Sequence, residues 1–231
     1  MSKKLINKIL SLKEFVDKPP VLIDIGASGG LHKPWKQISK YSICIAFDAD
    51  EREFNFVREE VGKFKKLLIY NCIVTNTDIR ETDFYLTKSP YCSSLLEPDE
   101  KALRDWAFSD KFNIEKKIKM NSRSLNSVLN EAGIDYIDWF KTDSQGTDLR
   151  LFASLPEQIR SNILIAEFEP GILDSYHGED KLFHLMEFMN DNNFWMSSIE
   201  IKGTQRISLE LLNNISKNDI GQMRLDVTNG M

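Results

Sequence analysis

No run of about eighteen apolar residues, the length a membrane-crossing helix needs, occurs anywhere in the 231-residue chain, so an integral membrane segment is not expected. The first residues, "MSKKLINKILSLKEF", lack the unbroken apolar core of a signal peptide, and the expectation is a cytoplasmic protein. Cysteine is scarce: Cys44, Cys72 and Cys92 are odd in number and irregular in spacing, which suits neither a disulfide framework nor a zinc site. Positive charge is in deficit, with 30 Lys and Arg against 35 Asp and Glu, a net −5, so a surface that collects nucleic acid phosphates is disfavoured. Internal repeats and low-complexity tracts are absent as well.

The familiar nucleotide signatures are also missing. Gly26, Gly29 and Gly30 stand at the wrong offsets for the G-x-G-x-x-G dinucleotide turn. The single Gly-Lys pair, Gly62 and Lys63, is followed by Phe64 rather than Ser or Thr, which excludes a P-loop. No tyrosine is followed four positions on by lysine, as the catalytic pair of a short-chain dehydrogenase requires.

What is present is apolar content of 42%, enough for one domain with a full core, expected to span residues 1–231. Residues 4–16 repeat apolar positions at helical spacing until "DKPP" stops them, giving a leading helix within residues 1–19. Short continuous apolar runs follow: "VLIDI" at 21, "SICIAF" at 42, "LLIY" at 67, "YIDWF" at 136 and "NILIAEF" at 162. Unbroken rather than alternating runs fit strands covered on both faces. "SRSLNSVLNEAG" between them reads as a serine-capped helix that Gly133 ends. The chain therefore reads as α/β, with a mostly parallel twisted sheet and helices on both faces. Residues 80–121 break the rhythm, with "TDFYLT" and "NIEKKIKM" as strands, and read as an insertion between the third and fourth core strands. "GEDKLFHLMEFMNDN" reads as a helix, "FWMSSIEIK" as a strand, and the last residues carry no clear end signal.

The first strand ends in "DIGASGG", an acid followed by small residues that let backbone amides approach a ligand. Asp24-x-Gly26-x-Ser28-x-Gly30 resembles the first motif of methyltransferases that use S-adenosylmethionine. Asp48 ends the second strand, where a carboxylate can accept from both hydroxyls of a ribose. Capping of the following helix is the competing reading for Asp48 and equally for Asp50.

The segment "IDYIDWFKTDSQGTDLRLFASL", residues 134–155, resembles the "IDxLKIDxEGxExxxLxG" block of the FkbM methyltransferases. "DIGASGG", "CIAFDAD", "NCIVTN", "SSL" at 93–95 and "RSLNSVL" resemble further blocks of that family in the same order. The resemblance implies a class I, Rossmann-like methyltransferase that moves a methyl group from S-adenosylmethionine to a hydroxyl of a glycan or small molecule. It also implies cofactor contacts from Asp24, Gly26, Ala27, Ser28 and Gly30 at the first turn, from Asp48, and from Cys72. Ser28 replaces the family's asparagine, Asp48-Ala49 its Glu-Pro, and Gln145 the glutamate of "DxEG"; Asp148 stands at its second glutamate.

A base that takes the hydroxyl proton must sit at the carboxyl ends of the strands. That selects Asp143 first, then Glu167 and Glu169 after the fifth strand, and His177, whose ordinary pKa suits a base near neutrality. A cap on the following helix is the competing reading for Asp143, and an exposed, inactive ring that for His177. His32 and His184 read as structural or solvent-facing. Magnesium held by Asp143, Asp148 and Glu167 is possible but not favoured. Tyr91, Trp106, Phe108 and Tyr176 could stack on a sugar or pack within the insertion. The insertion and the loop at 169–180 are expected to shape the acceptor pocket. Two rivals remain: methylation of nitrogen, which needs no strong base, and a non-catalytic adenosine- or glycan-binding module.

Overall fold

The computed structural model describes residues 3–27, 32–50, 52, 62–172, 174–200, 208, 210 and 214. Its main sheet consists of β1 (Val21–Ile25), β2 (Ile43–Phe47), β3 (Lys66–Tyr70), β7 (Trp139–Thr142) and β8 (Ile165–Phe168). Every pairing in it is parallel and the spatial order is β3-β2-β1-β7-β8. This is the α/β, Rossmann-like arrangement of class I methyltransferases: the chain winds outward from β1 to β3, then returns to build β7 and β8 on the other side. The order reverses between β1 and β7, and a crevice opens beyond the carboxyl ends of the strands at such a reversal.

The all-buried β1 explains why its sequence shows no alternation, since both of its faces are covered. On one face Val21, Ile23 and Ile25 join Ile45, Phe47 and Phe140 beneath α4 (Leu125–Ala132) and α5 (Asp148–Ala153). Phe152 anchors that layer, meeting the Phe140 and Phe168 rings edge-on at centroid distances of 5.3 Å each. On the opposite face Leu22, Cys44 and Ala46 pack against the fully buried Trp35, with Trp139 alongside.

A second, three-stranded sheet, order β4-β6-β5, joins β4 (Ile73–Thr75), β5 (Glu81–Thr87) and β6 (Ile114–Ser124). The insertion expected at 80–121 thus extends to Ser124 and recruits β4 as a parallel partner. Between β5 and β6 lies a short helix, α3 (Glu100–Leu103), capped by Asp99. Serine capping and the left-handed Gly133 bound α4 as its sequence indicates. Its "SRS" prefix is the end of β6, however, because Ser122 and Ser124 remain in register with β4.

Two further expectations need correction. The leading helix is two helices, α1 (Lys3–Leu10) and α2 (Lys13–Asp17), because Leu12 takes an extended conformation with φ −65° and ψ 150°. The segment read as a strand at "FWMSSIEIK" has no regular structure over residues 194–200, and residues 201 and 202 lie outside the described set. Phe194 packs against Phe152 while the neighbouring Trp195 is 82% exposed, and among the described residues the run 194–200 has no ladder partner to hold it extended. Further α-helices among the described residues are α6 (Glu157–Arg160) and α7 (Leu182–Asp191). No helix among the described residues is long and apolar enough to cross a membrane.

Candidate active site

Backbone geometry at the strand reversal fixes the site. Gly26 leaves β1 with φ +77°, and both its amide and that of Ala27 donate to the Phe47 carbonyl at 3.0 Å. The Asp143 amide donates to the Ile25 carbonyl at 2.9 Å, bringing the end of β7 beside the turn. A Cβ on Gly26 would stand 2.1 Å from the Asp143 carbonyl oxygen, so only glycine fits.

Above this junction is a cleft of about 270 Å³. Its floor is formed by Ile25, Gly26, Phe47, Asp48 and Cys72, and the insertion supplies one wall through Pro90, Tyr91, Ser93 and Leu95. Asp143, Ser144, Gln145 and Glu169 form the polar side. Burial pushes the Cys72 thiol up to about 11, so it is neutral there.

The loop after β7 holds the main carboxyl. Asp143 is pushed up to about 7 by burial first, then by the neighbouring Glu169 and Asp148 carboxylates, against the opposing pull of Lys141 and of a hydrogen bond from Gln145. Asp143 does not cap α5, whose N-terminal residue, Thr147, makes no side-chain cap. Asp148 is the framework of the loop. One of its oxygens accepts from Thr142 Oγ1 at 3.0 Å, the Ser144 amide at 2.8 Å and Ser144 Oγ at 2.5 Å. The other accepts from the Glu169 amide at 3.0 Å, tying the end of β8 to the end of β7. Burial raises the Asp148 carboxyl and these donors oppose the rise.

At the end of β2, Asp48 accepts from the Asp50 amide at 2.8 Å, its own amide donates to the Tyr70 carbonyl, and Asn71 Nδ2 donates to its carbonyl. Asp50 accepts from the Arg52 amide and is gripped by the Arg52 guanidinium at 2.6 Å. Burial raises the Asp50 carboxyl, yet Arg52 outweighs it and the net shift is downward. Arg52 also donates to the Thr87 carbonyl and Ser93 Oγ, clasping the insertion onto the end of β2. No local sequence signal marks the reach of Arg52 to the insertion, where Thr87 and Ser93 lie 35 and 41 positions away.

Of the residues singled out from sequence, Gly26, Asp48, Cys72 and Asp143 meet in the cleft, joined by Glu169. Ser28 and Gly30 lie outside the described residues. Asp24 faces the opposite side of the sheet, where Lys141 Nζ meets it at 2.9 Å, and Ala27 is buried in the Trp35 layer. Lys141 is raised overall: burial alone would lower it, but Asp24, Asp143 and Glu169 together prevail.

Glu167 also lies off the cleft lining. Its neighbours Ala166 and Phe168 occupy the Phe140 layer, while Glu167 accepts from Trp139 Nε1 at 2.6 Å and sits 3.2 Å from His32 Nε2. His177 is 62% exposed outside the cleft, 3.5 Å from Asp99. Asp143, Asp148 and Glu167 share no metal geometry, and no cluster of three or more ligating side chains occurs among the described residues. Of the four aromatic candidates, Tyr91 borders the cleft, 57% exposed. Phe108 packs on Phe112, Trp106 donates to the Ala102 carbonyl, and Tyr176 is buried, its hydroxyl within reach of the Cys92 carbonyl and Gln145 Oε1. The 169–180 loop and the insertion do meet, through Asp99 to Ser175 and His177 to Glu97 backbone bonds.

No curated protein and no solved structure gave a significant match to the chain. The sequence model of the methyltransferase FkbM domain matches residues 42–200, well over half of the chain and including β2, the insertion, β7 and β8. The strand reversal and the family match agree, and the chain belongs to the FkbM methyltransferase family.

Proposed function

We propose that the protein is an S-adenosylmethionine-dependent O-methyltransferase acting on a hydroxyl of a glycan or small-molecule acceptor. The observation that carries this reading is the Asp143 carboxyl, enclosed at the strand reversal and raised to about 7. A hydroxyl is a poor nucleophile until its proton begins to leave, and a base works best with a pKa near the working pH. A neutral amine would need no such group.

When bound, S-adenosylmethionine would supply an electrophilic methyl group together with a neutral thioether as leaving group. The chain's residues would then have three tasks. Asp48 would accept from the ribose hydroxyls, Cys72 would flank the adenosine, and the turn at Gly26 would face the methionine end. Asp143 would receive the proton of the acceptor hydroxyl, with Glu169 beside it keeping the carboxyl basic enough to hold it. The enclosing insertion would align the reacting atoms and exclude water, with Tyr91 at the rim of the acceptor side.

In this reading magnesium takes no part, because Asp148 spends its oxygens on protein donors. Residues 1–231 act as one domain in the cytoplasm, where the three free thiols stay reduced. The test is transfer of a radiolabelled methyl group from S-adenosylmethionine to a panel of saccharide and phenolic acceptors. Transfer to oxygen that Asp143→Asn lowers by at least about 100-fold supports the reading; transfer to amines that Asp143→Asn leaves intact overturns it.

A further inference from the structure

Gln145 occupies a strained position for its residue type. Its φ of +55° lies in the left-handed region, which Gly or Asn adopts more readily than glutamine. The following Gly146 has φ +109°, and a Cβ there would meet Glu179 Cβ at 3.0 Å and Leu96 Cδ1 at 3.1 Å. Such strain persists where the surroundings over-determine a conformation, commonly at functional sites. Here Ser94 Oγ holds the Gln145 carbonyl at 2.7 Å. The side chain spans the site: Nε2 donates to Asp143 Oδ1 at 2.5 Å and Oε1 accepts from the Tyr176 hydroxyl at 3.1 Å. The Tyr176 hydroxyl has a single proton, which it shares between Oε1 and the Cys92 carbonyl, 2.9 Å away.

This chain of contacts gives the amide a direction. An NH2 group facing a carboxylate oxygen stabilises the ionised form, whereas a carbonyl facing it would repel that form and accept from the protonated one. The other groups whose charge acts on Asp143 are Glu169 at the end of β8, Asp148 on α5 and Lys141 on β7, and the Cys92 thiol lies within the same electrostatic reach. Two of the three charged neighbours are carboxylates, so Gln145 is the neutral donor that offsets them.

We propose that Gln145 is a positioning residue: oriented by Tyr176 and by the Ser94 clasp on its backbone, it presents its amide donor to Asp143 and so sets the protonation point of that carboxyl. Because Cys92, Ser94 and Tyr176 belong to the insertion and to the loop after β8, the same contacts couple the two acceptor-side segments to that carboxyl. The use of the carboxyl as a base rests on the methyltransferase reading; its coupling to Gln145 does not, and the test reads the coupling alone.

The full-length protein is labelled with [4-13C]aspartate, the Asp143 signal is identified by its loss in Asp143→Asn, and its titration is followed by NMR. In wild type the midpoint is expected near 7. Gln145→Leu, which removes the donor, and Gln145→Glu, which adds a third carboxylate, should each raise the midpoint, by on the order of one unit and more for the Glu variant. Tyr176→Phe keeps the ring and releases the amide, so a smaller rise is expected, and it decides the matter should the Gln145 variants fail to fold. Midpoints in folded Gln145→Leu and Tyr176→Phe that match wild type would overturn the proposal, whatever the outcome of the methyl-transfer assays.

Discussion

The space a Gly26 side chain would need is filled by the carbonyl oxygen of Asp143, 2.1 Å from where its Cβ would stand. The turn after β1 and the loop after β7 are therefore built against each other, and the residue that makes the turn also sets the height of the carboxyl above the sheet.

Gly26→Ala should consequently be costly twice over, through the clash and through a φ of +77° that alanine resists. A loss of about 3 kcal/mol or more in urea unfolding is expected, together with weaker binding of any cofactor product. Stability within about 0.5 kcal/mol of wild type would show that the junction is looser than the geometry states.

Asp143 makes stability depend on pH with a definite sign. Its carboxyl is raised from the ordinary aspartate value of 3.8 to about 7, so between those pH values the folded chain keeps a proton that the unfolded chain releases. Stability from this group falls as pH rises through that window, and the full cost is present above about pH 7. Asp143→Asn removes the cost, so its advantage over wild type in denaturant titrations should grow from pH 5 to pH 8, by roughly 3 kcal/mol for a shift of that size. An advantage independent of pH would contradict the assignment.

Lys141 and Asp24 bridge β7 and β1 on the face away from the cleft, at 2.9 Å and with side-chain exposures of 15% and 1%. Lys141→Met leaves the Asp24 carboxylate buried without its counter-charge, and a loss of about 3–5 kcal/mol is expected. Adding Asp24→Asn should recover a good part of it, a coupling that a double-mutant cycle reads directly. Simple additivity of the two losses would show that the pair is not coupled.

Much of the frame was legible because it depends on local chemistry. Unbroken apolar runs marked the five strands of the main sheet, Gly133 marked a helix end, and the acid at the end of β2 fell in the cleft lining. The choice between Glu167 and Glu169 was not legible, since a run such as "NILIAEF" carries no alternation to say which side chain faces which layer. The structure turns Glu167 toward Trp139 and leaves Glu169, past the strand end, in the cleft. Contacts made by distant loops were equally hidden: Tyr176 looks in sequence like a stacking aromatic, yet its hydroxyl reaches Gln145 and the Cys92 carbonyl. Sequence period cannot reveal a bridge between residues 31 or 84 positions apart.

The most direct test of the central claim is calorimetric titration of the purified protein with S-adenosylhomocysteine, beside Asp48→Ala. Loss of the two charge-assisted hydrogen bonds expected from Asp48 to the ribose corresponds to an affinity roughly 10- to 100-fold weaker. The account predicts binding on the order of micromolar in wild type and that weakening in the variant. A folded wild-type protein that shows no binding would contradict it.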